Sequence, residues 1–229
     1  MNILAIGPHP DDIEFGCAPI LLKEIRKGNR VNMLILSRGE SGTAGSPDVR
    51  EHESRKAAAC MGAAIDFLDL GGDCHFEHTP ANAFKIAAFI RRSQPDIVIT
   101  PHPDQNQHPD HVVAARLTRD ACRFARYGGV AELLDQPVHF IKSLFFYHIT
   151  QHLSRPDLII DISDVEAAWE EVMKCHETQL KNKSYLELQT TAARLLGLTI
   201  GVEYAAGLYL SDPLRLESIS EIQLSSRNF

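Results

Sequence analysis

The sequence predicts an α/β, Rossmann-like fold, a doubly wound and mostly parallel sheet with helices on both faces. Short apolar runs recur along it, "NILAIG" (2–7), "VNMLIL" (31–36), "IDFLDL" (65–70) and "DIVIT" (96–100). Each is nearly continuous in apolar residues, as strands covered on both faces are. Amphipathic stretches long enough to cross back over a sheet separate them, so consecutive strands are expected to run parallel through right-handed crossovers.

Those stretches predict helices over about 17–28, 48–62, 80–94 and 110–126. "DVRE" opens the second, where Asp48 can cap and Glu51 can reach back as a capping box. Thr79 followed by Pro80 marks the start of the third. "SLFFYHI" (143–149) and "LIIDIS" (158–163) add two strands, Asp164 begins a helix to about Lys181, and another spans about 184–197 before a mixed tail, "GVEYAAGLYLSDPLRL". No repeat, low-complexity tract or linker interrupts the 229 residues, so one domain over 1–229 is expected.

Composition narrows the partners. Lys and Arg total 23 against 30 Asp and Glu, a formal charge of -7, so a nucleic-acid backbone meets net repulsion and is not expected as a partner. The first residues run straight into strand-like sequence without a basic leader, and no stretch approaches the roughly 20 apolar residues of a membrane span. A cytoplasmic protein without a membrane partner is therefore expected. Five cysteines, Cys17, Cys60, Cys74, Cys122 and Cys175, are odd in number and form no C-x-x-C pair, which argues against a disulfide framework or a thiolate zinc site.

Two clusters carry chemistry. "PHPDD" follows the first strand, and "QHPDH" (107–111) lies just beyond the fourth. In a doubly wound sheet, ligands bind outside the C-terminal strand ends where the strand order reverses, between the first and fourth strands. His9, Asp11, Asp12, His108, Asp110 and His111 are thus expected to converge on one metal site. Imidazole and carboxylate are the usual donors of a catalytic zinc that lacks thiolates, and two His with one Asp leave a position open. An aspartate not bound to the ion can serve as general base, although the residues alone do not say which of the adjacent pair does so. The bland alternative is a set of turn and capping groups, with Asp110 capping the fourth helix.

With these motifs in order, the sequence resembles the LmbE-like or PIG-L family of zinc-dependent deacetylases acting on N-acetylglucosamine units. "HPDD", "RGESGTAG" (38–45), "VREHE" (49–53) and "HPDH" carry the likeness, and "IGVEYAAGL" resembles the bacillithiol-biosynthesis subgroup, which deacetylates N-acetylglucosaminyl malate. Ile13 then Glu14 after the double aspartate also matches that subgroup. The resemblance implies His9, Asp12 and His111 as zinc ligands, with other first-row divalent metals acceptable to the same donors. It further implies Asp11 as general base, His108 as a second acid/base or oxyanion-stabilising group and Asp110 as the residue orienting its ring. Arg50 and Tyr185 are implied to bind substrate, and a closed homo-oligomer is implied for the whole.

Rival readings within the same metal logic are a thiol-conjugate amidase or another small-molecule amidohydrolase. A non-catalytic sugar- or metal-binding protein is the rival outside it. "CHFEH" (74–78) reads as a solvated loop with no second segment converging on it, and His139, His148, His152 and His176 are scattered, with His176 placed near the crevice by its "CHETQL" context.

Overall fold

The structure is a computed structural model that describes residues 1–104, 108–150, 155–181, 183–222 and 225; Gln107 of "QHPDH" and His152 lie outside the described residues. The first strand, β1 (Asn2–Gly7), leads into a short helix α1 (Asp12–Gly16) and then α2 (Ala18–Arg26). They are followed by β2 (Arg30–Ile35), α3 (Pro47–Met61), β3 (Ala64–Phe67), α4 (Pro80–Ser93), β4 (Ile97–Pro101) and α5 (Pro109–Ala125). The remainder holds β5 (Ser143–Tyr147), β6 (Leu158–Asp161), α6 (Glu166–Lys174), α7 (Glu177–Leu180), α8 (Tyr185–Ile200) and β7 (Ala205–Leu210).

The seven strands form one sheet in the order β3-β2-β1-β4-β5-β7-β6. β1 pairs in parallel with both β2 and β4, so the strand order reverses at its C-terminal end. Among the described strands β7 alone runs opposite to the rest, antiparallel to β5 and β6, and it is the strand that the mixed tail supplies. Two buried clusters cover the two faces. One packs Ile3, Ile35, Met33 and Trp169 together, and the other packs Leu4, Ile6, Leu34 and Val98. Alternate residues of β1 therefore feed opposite cores, which explains its unbroken apolar run. β3 and β6 sit at the sheet edges and are only partly covered, so burial on both faces holds for the inner strands alone.

Helix starts follow local chemistry. Pro47, Pro80 and Pro109 each occupy the first turn, where the missing N–H costs nothing. Thr79 caps α4 as expected, its hydroxyl accepting from the Asn82 N–H at 3.3 Å. The α3 cap is Ser46 rather than Asp48, its hydroxyl accepting from the Val49 N–H. Asp48 and Glu51 are instead ion-paired with Arg38, so no capping box forms. The single helix expected from Asp164 to Lys181 is broken at Cys175 and His176. There the His176 ring turns into the core, 3.0 Å from the Glu14 carboxylate, with both side chains fully buried.

Arg91 of α4 is 2% exposed and faces the end of α5. Its guanidinium donates to the carbonyls of Ala125 (3.0 Å), Tyr127 (2.7 Å), Gln136 (3.0 Å) and Leu133. Carbonyls left over at a helix C-terminus carry partial negative charge, so this cation satisfies them and docks α4 on α5. Arg91→Met is expected to strand those acceptors and cost about 3 kcal/mol. The check is a urea unfolding curve whose midpoint falls at unchanged slope; a midpoint within error of the wild type would refute this role.

A buried histidine and carboxylate centre at the strand switch point

Three segments meet beyond the C-terminal ends of β1, β3 and β4. After β1 the chain turns through His9, Pro10 and Asp11 into α1, and Asp11 takes φ 106°, a conformation rare for residues other than glycine. Arg50 of α3 holds that turn, donating to the Pro10 carbonyl at 2.8 Å and the Gly39 carbonyl at 3.3 Å, with Asp11 Oδ2 at 3.5 Å. The guanidinium lies so close to Gly39 that a Cβ there would fall 2.0 Å from it, and Gly39 has φ 70°. Only glycine fits that position.

Asp12 is the hub. Its Oδ2 accepts from the His9 N–H at 2.9 Å and lies 3.1 Å from His9 Nδ1, while Oδ1 lies 3.1 Å from His111 Nε2. His9 Nε2 in turn faces Asp73 Oδ1 at 3.0 Å and Asp110 Oδ2 at 3.3 Å. His9, Asp12 and His111 are all nearly sealed from solvent, at 6%, 4% and 3% exposure. His108 begins α5, where its Nδ1 accepts from the Asp110 N–H at 3.2 Å, which leaves Nε2 as the protonated nitrogen of a neutral ring. The Asp110 peptide, not its carboxylate, fixes that ring. The carboxylate accepts from the Cys74 N–H at 2.7 Å and faces His9.

Charge explains the protonation states. Burial by itself lowers the His9 pKa, but the hydrogen bonds with Asp110 and Asp12 raise it well above the ordinary histidine value. Burial pushes Asp12 up, yet His111 and His9 outweigh it and hold the carboxylate well below its usual range. Asp73 is brought down to about 2, first by its hydrogen bond to His9. Asp11 moves the other way, pushed up to about 7 by burial, with Arg50 opposing the shift. Burial lowers the His108 pKa, and the neighbouring His9 and His111 add to the effect. The two adjacent aspartates thus differ, one an obligate anion and the other a group that can take a proton near neutral pH.

Three carboxylates surround one buried imidazole, an arrangement short of positive charge that suits a cation. The nitrogens of His9, His108 and His111 lie within 4.8 Å of one another, as do donor atoms of His9, Asp73, His108 and Asp110. Nitrogen and carboxylate donors of this kind can hold zinc or another first-row divalent ion.

Of the residues expected at the site, His9, Asp11, Asp12, His108, Asp110 and His111 all come together here. Arg50 lies beneath them, buried against backbone carbonyls. Tyr185 starts α8 and packs on Phe15, ring centroids 5.5 Å apart. Asp73 is not among the expected residues, and the loop expected to stand alone after β3 does converge on the site through it. Glu40 accepts from the Asp73 N–H at 2.9 Å and Ser41 donates to its carbonyl at 2.9 Å, so the loop after β2 bolts it in place. The clue in the sequence is the glycine pair before it, Gly71 and Gly72, both at positive φ, which turns the chain back across the strand ends. Elsewhere, a mostly apolar cleft of about 480 Å³ lies along α8 and β7, lined by Trp169, Leu196 and Tyr209 and clear of these histidines.

Comparison with known proteins places the chain in a family. A family model described as PIG-L, GlcNAc-PI de-N-acetylase matches residues 4–122, the part that supplies every donor named above. Diacetylchitobiose deacetylase of Thermococcus kodakarensis is 29% identical over 230 residues, 90% of this chain and 82% of that protein. A probable N-acetyl-alpha-D-glucosaminyl L-malate deacetylase of Bacillus subtilis is 26% identical over 78% of this chain and 83% of its own. Among solved structures, the conserved protein TT1542 from Thermus thermophilus superposes with a TM-score of 0.83 at 29% identity, covering 93% of this chain and 96% of that one. GalB, a 4-carboxy-2-hydroxymuconate hydratase from Pseudomonas putida, superposes at 0.85 with 22% identity, covering 95% and 99%, a likeness of fold alone.

If His9, Asp12 and His111 are the donors, Asp12→Asn and His111→Ala are each expected to lower zinc affinity by well over about 100-fold, whereas Asp73→Asn, which removes only a partner of His9, costs about 10–100-fold. Zinc titration of chelator-treated protein by calorimetry decides between the two donor groups. Equal losses in all three variants would point to the group that includes Asp73.

Proposed function

The chain belongs to the PIG-L, GlcNAc-PI de-N-acetylase family, and on that premise we propose that it hydrolyses the N-acetyl group of a small N-acetylglucosamine-containing molecule, of the N-acetylglucosaminyl malate type. The observation that carries this reading is Asp12 held between His9 and His111, with Asp11 beside it able to exchange a proton near neutral pH. His9, Asp12 and His111 are the residues that would hold zinc. Zinc in such a site supplies Lewis acidity and makes water more acidic.

The remaining steps fall to side chains. Asp11 takes the proton from the attacking water as its oxygen adds to the acetamide carbonyl carbon, a role suited to a carboxylate poised near 7. His108 offers a neutral Nε2–H to the carbonyl oxygen as negative charge gathers there. When the carbon–nitrogen bond breaks, the proton on Asp11 passes to the departing nitrogen, leaving acetate and a free amine. Arg50 acts through Asp11, keeping the turn in its strained conformation, and its buried guanidinium supports positioning over direct contact with the sugar. Tyr185, at the start of α8 and packed on Phe15, meets the substrate from that side. The bacterial malate deacetylase relative and the diacetylchitobiose deacetylase relative both support an N-acetylated amino sugar as substrate.

Acetate release from N-acetylglucosaminyl malate, N-acetylglucosamine and short chito-oligomers, with 4-carboxy-2-hydroxymuconate as a hydration control, tests the reading. Turnover of the malate conjugate above the others is expected; release from none by zinc-loaded protein favours a binding protein, and hydration of the control overturns the hydrolase. Asp11→Asn is expected to keep zinc and lower kcat by about 10²–10⁴-fold. Normal turnover in that variant would remove Asp11 from the mechanism. Arg50→Lys cannot span the Pro10 and Gly39 carbonyls with one ammonium, so kcat is expected to fall about tenfold or more with KM changed far less. A rise in KM alone would assign Arg50 to substrate.

A further inference from the structure

At the rim of the sheet opposite the histidine centre, where β5 begins and β7 ends, a second cleft of about 570 Å³ opens beside the last turns of α5. That volume falls in the roughly 300–1,000 Å³ range of small-molecule sites. Four arginines line it: Arg119 and Arg123 of α5, Arg126 at the C-terminal cap of that helix, and Arg215 from the segment after β7. All four are exposed. Among the described residues, Arg119, Arg123 and Arg215 have neither an ion pair nor a side-chain hydrogen bond, and the Arg126 guanidinium meets only the Tyr127 ring, 5.8 Å from its centroid. The two carboxylates in the cleft are engaged elsewhere, Asp120 with His78 at 2.7 Å and Asp212 with the Ser211 hydroxyl at 2.9 Å. Lys142, the other cation there, is paired with Asp96.

Helix electrostatics do not account for this grouping. Cations favour a helix C-terminus, but Arg91 already fills the free carbonyls at the end of α5. Arg119 lies more than a turn before that end, and Arg215 belongs to another segment. Arginines at positions i, i+4 and i+7 repel one another along one helix face, which disfavours the helix unless an anion answers them. The chain as a whole carries a formal charge of -7, so this concentration of positive charge is local to the cleft.

We propose that the cleft binds a nucleoside di- or triphosphate, its phosphates on Arg119, Arg123 and Arg126 and its base against Phe140. The three arginines spread along about 10 Å of helix, which matches a chain of phosphates better than one. Guanidinium groups pair with phosphate oxygens through two parallel hydrogen bonds, a geometry that free arginines are suited to make. Phe140 lines the same cleft and is 65% exposed, so its ring offers a face on which a base stacks. Ile141 and Leu214 complete the apolar wall. His111 sits on the first turn of α5 and Arg123 twelve residues later, about 18 Å along the axis, so the nucleotide and the histidine centre share no residue. This binding is independent of the reaction proposed above.

Calorimetry on the intact protein, with Mg²⁺ in excess, is expected to show binding of ATP and UTP, weaker binding of inorganic triphosphate and none of adenosine. Arg119→Ala combined with Arg123→Ala is expected to raise the Kd for ATP about tenfold or more, and Phe140→Ala to raise it for ATP but not for inorganic triphosphate. His111→Ala is expected to leave both unchanged. Loss of binding in His111→Ala, with the arginine variant unaffected, would put the anion at the histidine centre and overturn the site. Inorganic triphosphate binding as tightly as ATP would leave the ring without a role and overturn the nucleotide, and no binding of either would overturn the cleft altogether. Sedimentation with phosphatidylglycerol vesicles tests the other source of phosphate: capture on vesicles without binding of free ATP would replace the nucleotide by a lipid surface. Circular dichroism of the arginine variant confirms that the comparison is between folded proteins.

Discussion

A carboxylate lies between two imidazoles that the chain separates by about 100 residues, and the chemistry of this protein depends on that contact. Asp12 meets His9 through one oxygen and His111 through the other, with all three nearly sealed from water. Such a buried cluster is costly unless its charges are matched, because desolvation penalises each ion far more than a surface pair repays. Here the matching is achieved by proton placement. His9 is pushed toward its charged form by Asp110 and Asp12, and Asp12 is kept ionised by its two histidine partners. A divalent cation would answer the same excess of negative charge with stronger bonds.

Everything that positions the cluster is rigid backbone. The parallel pairing of β1 with both β2 and β4 puts the turn after β1 at the place where crossovers leave in opposite directions, and a crevice opens there. The loops after β2 and β3 close it from the side: Glu40 and Ser41 hold Asp73, and Asp73 reaches His9. Beneath, Arg50 ties Pro10 to Gly39 and sits against Asp11, which occupies a backbone conformation few non-glycine residues adopt. Strain of this kind, of order 1–3 kcal/mol, persists only where the surroundings hold it. Arg50 and the start of α1 do so here. Further back, His176 and Glu14 meet in the core and divide one expected helix into α6 and α7, anchoring α1 from its buried side.

Much of this is legible in the local sequence. Apolar runs locate the inner strands, and proline and threonine locate the α4 start, because those signals act over a few residues. The two "HPD" segments announce histidine and carboxylate chemistry, and the switch-point rule joins them. Asp73 is not legible, since a lone aspartate after two glycines looks like an ordinary turn until the loop is seen folding back over β1. Nor is the α3 cap, where Ser46 wins because Asp48 finds a better partner in Arg38. The burial of Arg50 is illegible for a similar reason: sequence spacing shows the residue on the first turn of a helix, and only packing shows its guanidinium against the Pro10 and Gly39 carbonyls.

The sequence by itself determined the strand and helix alternation, the inventory of metal-binding groups and the membership of the family, all properties written in local pattern and ordered motifs. Tertiary structure decided which aspartate bridges the histidines, which one burial pushes up, and that the loop after β3 brings Asp73 and the Cys74 N–H to the same centre. The physical reason is distance. Charges and hydrogen bonds act across a few ångströms, and the residues that come within that range here are drawn from segments tens of positions apart, brought together only when the sheet forms.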